Sequence, residues 1–127
     1  MNTAARVAQL TVRVVGLLAL ILGLLFWGGD ARQLIPVHML LGLIVVIALV
    51  VLAVAGIMAG RAGLGVGGIV VAVLLLVVGM GQQQMLPGPN HWLVQVLHIL
   101  LGMGAIGYGE VLGKRLGLTG AARARVR

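Results

Sequence analysis

Residues 34–59 read LIPVHMLLGLIVVIALVVLAVAGIMA, a run that contains no acidic residue, lysine or arginine. A helix of about 20 such residues, rising 1.5 Å per residue, crosses the roughly 30 Å hydrocarbon core of a bilayer. Pro36 suits the first turn of that helix, where its missing amide hydrogen costs nothing. The one ionisable side chain in the run is His38. The stretch therefore predicts a membrane-spanning helix that carries a single imidazole.

Three further apolar segments lie at about residues 5–28, 64–83 and 90–113. Hydrophobic residues make up 61% of the chain, which leaves too few polar residues to cover a soluble domain of 127 residues. We therefore expect an all-α membrane protein, in which residues 1–127 form one transmembrane domain dissolved in the lipid bilayer. Its four helices should run up, down, up, down as a bundle, with the first helix retained rather than cleaved as a signal.

The basic residues give an orientation. The net charge is +7, but the positive residues stand at the ends of apolar segments rather than in one patch, so no nucleic-acid partner is expected. Arg32, beside Asp30, lies on one side of the predicted bundle. The other side holds Arg6, Arg13, Arg61, Lys114, Arg115, Arg123, Arg125 and Arg127. We therefore expect a multi-pass protein of a bacterial-type cell membrane, with both termini and a basic tail, residues 114–127, in the cytoplasm.

A five-residue phrase occurs twice, HMLLG at residues 38–42 and HILLG at residues 98–102. Up-and-down topology makes the second and fourth helices parallel, and it puts His38 and His98 at depths of roughly 7 Å and 12 Å. An ionisable residue inside a membrane is costly and is a candidate for function. The pair predicts two axial ligands of one haem b per chain. Zinc is disfavoured because no third or fourth ligand stands nearby. The alternative is two buried histidines that hydrogen-bond to neighbouring helices.

Small and polar residues surround the predicted ligands. Gly42 and Gly102 follow the histidines by one helical turn, and without side chains they would leave a slot for the edge of the macrocycle. On the outer side, His91, Gln95 and Arg32 are candidates to bind the haem propionates. An inward-facing stripe is expected along the fourth helix at His91, Gln95, His98, Gly102, Ala105 and Gly109.

Two charged residues remain inside the apolar segments, Arg13 in the first and Glu110 in the fourth. Their depths match, so we expect a salt bridge that Tyr108 could join. A role for Glu110 in handling protons is the alternative. The segments also lack cysteine, which excludes thiolate metal sites, c-type haem attachment and disulfides.

Several other positions have predicted structural roles. Small residues let helices approach closely, which is the expected role of the glycines. Phe26 and Trp27 should anchor the end of the first helix at the membrane interface. Asn90 should cap the fourth helix. The glycines in question are Gly16, Gly23, Gly65, Gly67 and Gly68.

The segment WLVQVLH at residues 92–98, the small residues beyond it, and the histidines of helices two and four resemble one four-helix half of the haem A synthase family. The resemblance covers the whole chain in topology but only short stretches around His38 and His98 in sequence. It implies that these two histidines are axial ligands of a b-type haem. This chain departs from the family because it has a single half, and Asp30 is its one acidic residue on the outer side. Synthase activity is therefore not expected, and an electron-transfer or haem-binding protein is favoured over an enzyme.

The leading hypothesis is a single-haem membrane cytochrome b that transfers electrons. A haem near the outer side cannot alone carry charge across the membrane, so it needs a quinol, a redox partner subunit or an acceptor at the outer face. One alternative is a haem sensor or carrier. Another is a non-catalytic scaffold subunit of a larger membrane complex, whose histidines bind chlorophyll or no cofactor. The glycine-rich faces of helices one and three also allow a homodimer.

Overall fold

The computed structural model describes residues 2–118, and this part of the chain consists of four long α-helices without any β-strand. A 3-10 turn, Arg32–Leu34, precedes the second helix. The helix ends lie within three residues of those predicted, and Pro36 lies in the first turn of the second helix, as predicted. The tail predicted to be cytoplasmic lies outside the described residues from position 119 onward. The helices are α1 (Asn2–Trp27), α2 (Ile35–Met58), α3 (Ala62–Gly81) and α4 (His91–Arg115).

All four helices are long and apolar enough to cross a membrane. Large hydrophobic side chains also cover their outward faces. Leu10, Leu40, Val70 and Leu100, one on each helix, are all more than half exposed. A soluble helix would carry polar residues on that face. Length, composition and exposure therefore agree with the prediction of an all-helical chain suited to a bilayer.

The helices form a ring in which α1 and α3 each pack against both α2 and α4. In addition, α2 and α4 contact each other across the centre of the ring. The largest fully buried side chains are Val12 of α1, Leu49 and Leu52 of α2, and Leu112 of α4. Residues on the inward faces of α2 and α4 thus meet in the middle of the bundle.

The inward faces of α2 and α4 follow the same pattern, displaced by 60 residues. Counted from His38 or His98, the residues at offsets 7, 11, 14 and 15 are buried in both helices. These offsets fall on one face of an α-helix, the face that also contains the histidine. The repeated phrase is therefore the start of a longer structural repeat. Its buried members are Val45, Leu49, Leu52 and Ala53 in α2, and Ala105, Gly109, Leu112 and Gly113 in α4.

Glycines allow α2 and α3 to approach closely, as predicted. Gly60, with a φ of 79°, ends α2 in a left-handed conformation, and the amide of Arg61 donates to the carbonyl of Gly56 at 2.9 Å. A Cβ on Gly65 would lie only 2.5 Å from the carbonyl oxygen of Ala53. Backbone therefore packs directly on backbone at the start of this hairpin.

The contact between α1 and α4 also depends on glycine. A Cβ on Gly16 would lie 2.8 Å from Cγ1 of Ile106, and one on Gly109 would lie 2.9 Å from Cγ1 of Val12. Each glycine thus receives a branched side chain from the other helix. The predicted packing role of Gly16 is confirmed.

Alanine at Gly65 should destabilise the protein, because its methyl group meets backbone atoms that cannot rotate away. Overpacking of this kind costs about 1–3 kcal/mol. Gly63→Ala is the matched control, since no atom lies within 4 Å of its Cβ position and a helical alanine is favoured by up to about 1 kcal/mol. Thermal unfolding in detergent should rank Gly65→Ala below wild type and Gly63→Ala at or above it. Equal stabilities would contradict this packing.

Candidate functional site: two histidines between α2 and α4

His38 and His98 lie side by side between α2 and α4, near the starts of both helices. Their ring centroids are 6.1 Å apart, and the ring planes cross at 77°. Both residues stand at the head of the repeated inward face, one on α2 and one on α4. The ring of helices thus brings together the two imidazoles that the sequence singled out.

Each of these imidazoles has a buried nitrogen without a hydrogen bond. Among residues 2–118, Nδ1 of His38 and Nδ1 of His98 have no partner. A buried polar atom left in this way costs about 1–3 kcal/mol. Buried polar groups in proteins are almost always satisfied, and an exception often marks a catalytic group or the place of a ligand. The alternative expectation, that each histidine hydrogen-bonds to a neighbouring helix, is not met at Nδ1, but the ring of His38 also has a backbone hydrogen-bond contact with Ala19 of α1.

The separation of the two rings suits a shared metal ion. A metal–imidazole bond is about 2 Å long, and the nitrogen lies about 1.1 Å from the ring centre, so two imidazoles on opposite sides of one metal have centres roughly 6 Å apart. The observed 6.1 Å matches that value. Two rings in simple edge-to-face contact reach a similar separation. The two buried Nδ1 atoms without hydrogen-bond partners distinguish this pair from simple apolar packing.

Open space adjoins the pair one turn further along each helix. No atom lies within 4 Å of the position that a Cβ would occupy on Gly42 or Gly102. Both glycines lie on the inward face, between a histidine and the buried residue at offset 7. At Gly65 and Gly109, by contrast, a Cβ would collide with the facing helix. The Cβ positions of these two glycines are therefore open, as are those of the exposed Gly104 and Gly107 on the same helix as Gly102.

Neighbouring helices hold the imidazoles by contacts that sequence reasoning missed. Phe26, expected to be an interfacial anchor, is half-buried, and its ring meets that of His38 edge to face at 5.3 Å. Gly23 faces Cε1 of His38, and Gly79 faces the ring of His98. The contact of Gly23 with His38 could have been predicted from distances to the helix ends. Gly23 lies four residues before the end of α1, and His38 lies three residues after the start of α2. The contact of Gly79 with His98 could not be predicted in this way, because a nine-residue connection separates α3 from α4.

The other predicted site residues surround the pair less closely. The Nδ1 atom of His91 lies 3.1 Å from the carbonyl oxygen of Met85 and donates to it in the tautomer protonated there, which ties the loop to α4. Gln95 is half-buried one turn before His98, and Arg32 is exposed in the turn before α2. Within residues 2–118, no hydrogen bond joins any of these three to either imidazole. Asn90 occupies the N-cap position of α4, but its side chain makes no capping bond.

Arg13 and Glu110 form the expected salt bridge between α1 and α4. Nε and Nη2 of Arg13 donate to the two carboxylate oxygens of Glu110 at 2.7 Å and 2.8 Å, which is the bidentate geometry. Gln9 is buried beside them and donates to the same carboxylate at 3.5 Å. Its amide packs directly over Gly113, where a side chain would displace it. Structural pairing across the helices is therefore confirmed.

Tyr108 does not join this ion pair, so that expectation is wrong. Its hydroxyl donates to the carbonyl oxygen of Leu64 on α3 at 2.9 Å, and its ring end covers Gly67. The reason is helical geometry, because two residues correspond to a rotation of about 200°. Tyr108 and Glu110 consequently point to different neighbouring helices.

These features define a class, an all-helical four-helix unit that pairs two imidazoles at its centre. Comparison with known family models, curated proteins and solved structures finds no match for the chain. The resemblance to the haem A synthase family therefore stays an expectation from the sequence.

A double-mutant cycle should show strong coupling between Arg13 and Glu110. Arg13→Met leaves a carboxylate without its partner, and Glu110→Gln leaves a guanidinium without its own, so each single variant should unfold at a lower temperature than wild type. The variant carrying both Arg13→Met and Glu110→Gln should lose less than the sum of the two. Additive losses would contradict an energetically coupled pair.

Proposed function

We propose that this chain is an integral membrane cytochrome that binds one haem b between α2 and α4. His38 and His98 would be the axial ligands. The observation that carries the proposal is the pair of imidazoles 6.1 Å apart, each with an unsatisfied buried Nδ1. That separation and that unused ligating capacity are what a bis-histidine site requires.

Haem is favoured over a bare metal ion by the number of donors. A porphyrin supplies four nitrogens, so two imidazoles complete six-coordination of the iron. A protein site for zinc needs three or four side-chain ligands. Over residues 2–118, no group of three or more His, Cys, Asp or Glu side chains could hold a metal ion.

Several residues of this chain would bind the haem together. When bound, haem supplies a one-electron redox couple whose potential is set by its ligands and by the dryness of the pocket. His38 and His98 would bind the iron, while Gly42 and Gly102 would admit the edge of the macrocycle into the open space beside them. His91, Gln95 and Arg32 remain the proposed partners of the propionates.

We further propose an up-down-up-down topology in the cell membrane, with both termini in the cytoplasm. The short connections support antiparallel neighbours, since only three residues join α2 to α3. The excess of Lys and Arg on one side supports the orientation. His38 and His98 would then lie nearer the outer face. Electron transfer would involve a quinol or a redox partner at that face.

Absorption spectra of the purified protein, expressed with haem supplied, test the ligands. Wild type should give a six-coordinate low-spin spectrum with sharp α and β bands on reduction. His38→Ala and His98→Ala should each lose that spectrum and bind haem more than about 100-fold more weakly, beyond the roughly 10–100-fold effect of losing an outer-shell partner.

His91→Ala is the control for coordination of the iron, because it removes an imidazole from α4 without touching the pair. It should keep the six-coordinate spectrum. Wild-type protein that folds but never binds haem would sink the cytochrome proposal. A low-spin spectrum that survives in both His38→Ala and His98→Ala would refute the ligand assignment.

A leucine at Gly102 tests the slot. Nothing lies within 4 Å of the Cβ position of Gly102, so the side chain should fit without unfolding the bundle while filling the space proposed for the macrocycle. Gly104→Leu is the control, since Gly104 is exposed on the opposite face and equally free of neighbours. Haem titration should show weaker binding, by about tenfold or more, for Gly102→Leu alone. Equal affinities in the two variants would place the macrocycle elsewhere.

A further inference from the structure

We propose that a groove between α1 and α2 binds one acyl chain of a lipid with an anionic headgroup. The groove has a volume of about 420 Å³ and is open on the outer side of the bundle. It continues into a second depression of about 230 Å³, since Ala4 and Val51 line both. The proposal goes beyond the haem site and does not depend on it.

The 60-residue repeat explains why a groove lies at this place. Besides α2 and α4, the repeat includes α1 and α3, because three buried positions of α1 match buried positions sixty residues later. The hairpin of α1 and α2 is therefore equivalent to the hairpin of α3 and α4. The matching buried residues are Ala5, Ala8 and Val12 in α1, and Gly65, Gly68 and Ala72 in α3.

Tyr108 fills the equivalent place between α3 and α4. Its hydroxyl donates to the carbonyl oxygen of Leu64 at 2.9 Å, and its ring covers Gly67 and Gly68. In the other hairpin an alanine stands at the position of the tyrosine, and its methyl group leaves the groove unfilled. The residues sixty positions before these four all line the groove, and they are Ala48, Ala4, Val7 and Ala8.

The lining of the groove suits hydrocarbon rather than a polar ring. Apart from Thr11, the residues that line the groove and its continuation are alanine, valine and isoleucine. Val7 stands at the position of Gly67, where a Cβ would collide with the Tyr108 hydroxyl. A ring with a hydroxyl group therefore could not reach the backbone here as Tyr108 does in the other hairpin. Only an apolar occupant finds matching partners.

The length and direction of the groove suit an acyl chain. It follows α2 from Ala55, near the end of that helix, to Ile44, near its middle. At 1.5 Å per residue this distance is about 17 Å. One leaflet contributes about 15 Å to the hydrocarbon core of a bilayer. The groove thus starts at one end of the bundle and reaches the middle of the membrane, as a chain of one leaflet does.

The charges at the same end of the bundle favour an anionic headgroup. Arg6 on α1 and Arg61 in the turn after α2 are both exposed there. Of the two acidic residues in the chain, Glu110 is paired with Arg13, and Asp30 follows the far end of α1. A basic residue near the membrane surface favours anionic lipid by about fivefold. The headgroup of a lipid in the groove would therefore meet uncompensated positive charge.

Native mass spectrometry of the detergent-purified protein tests the lipid class. The protein is titrated with phosphatidylglycerol, which is anionic, or with phosphatidylcholine of the same acyl chains, which is zwitterionic. Wild type should bind one phosphatidylglycerol at least about fivefold more tightly than phosphatidylcholine. Equal affinities for the two lipids would overturn the proposal.

Ala4→Leu tests the groove itself. Ala4 is exposed and lines both depressions, so the larger side chain should fill them without disturbing the interior. Affinity for phosphatidylglycerol should fall by about tenfold, which is the factor for excluding about two methylene groups. Ala62→Leu is the matched control, because Ala62 is an exposed alanine in the first turn of α3 and lines neither depression. Unchanged affinity in Ala4→Leu, or equal losses in the two variants, would overturn the proposal.

Arg61→Gln tests the headgroup, and it keeps the proposal testable if Ala4→Leu does not fold. The preference for phosphatidylglycerol should fall about fivefold while binding of phosphatidylcholine stays the same. Lys114→Gln is the control, because Lys114 is exposed on α4, which does not line the groove. Equal effects of Arg61→Gln and Lys114→Gln would overturn the assigned headgroup position. A dimer in detergent that Ala4→Leu dissociates would show that a second copy fills the groove, and would also overturn the proposal.

Discussion

Two half-buried imidazoles contact each other between α2 and α4, and each has a buried Nδ1 atom without a hydrogen-bond partner among the described residues. Deeper in the bundle, the inward faces of α2 and α4 close tightly on Leu49, Leu52 and Leu112. Beside the histidines the same faces pack less tightly, because no atom lies within 4 Å of the Cβ positions of Gly42 and Gly102. Ligation would offset the desolvation of the two nitrogens.

The 60-residue repeat explains how one fold places two ligands at one point. The same offsets from the histidine are buried in both α2 and α4, so the two helices present equivalent faces to each other. Under the proposed up-and-down topology they would be related by an axis along the membrane normal, which directs the two imidazoles at each other. The remaining helices are less alike. α1 supplies Arg13 to pair with Glu110 and Phe26 to pack on His38, whereas α3 supplies the glycines that receive Ala53, Tyr108 and His98.

Periodicity and composition predicted the four helices because long apolar runs separated by glycine, proline and charge have few other solutions. The same reasoning found the facing histidines and the Arg13–Glu110 pair, since matched depth is readable from distances to helix ends. The prediction that Tyr108 joins the Arg13–Glu110 pair was wrong, because two residues at similar depths in the membrane can point in different directions around the helix. Sequence reasoning also did not find the contacts of Phe26 and Gly79 with the imidazoles. Their roles depend on how α1 and α3 rotate against the imidazoles, and apolar helices with no polar face leave that rotation unspecified.

The central claim is that both central imidazoles bind a single iron, and nitrogen hyperfine spectroscopy tests it most directly. The chain contains only three histidines, so growth with ¹⁵N-labelled histidine marks every candidate ligand at once. In the oxidised haem-loaded protein, pulsed resonance spectra should show two labelled axial nitrogens coupled to the low-spin iron, and His91→Ala should leave both in place. A single labelled axial nitrogen, or none, would contradict a haem held between His38 and His98.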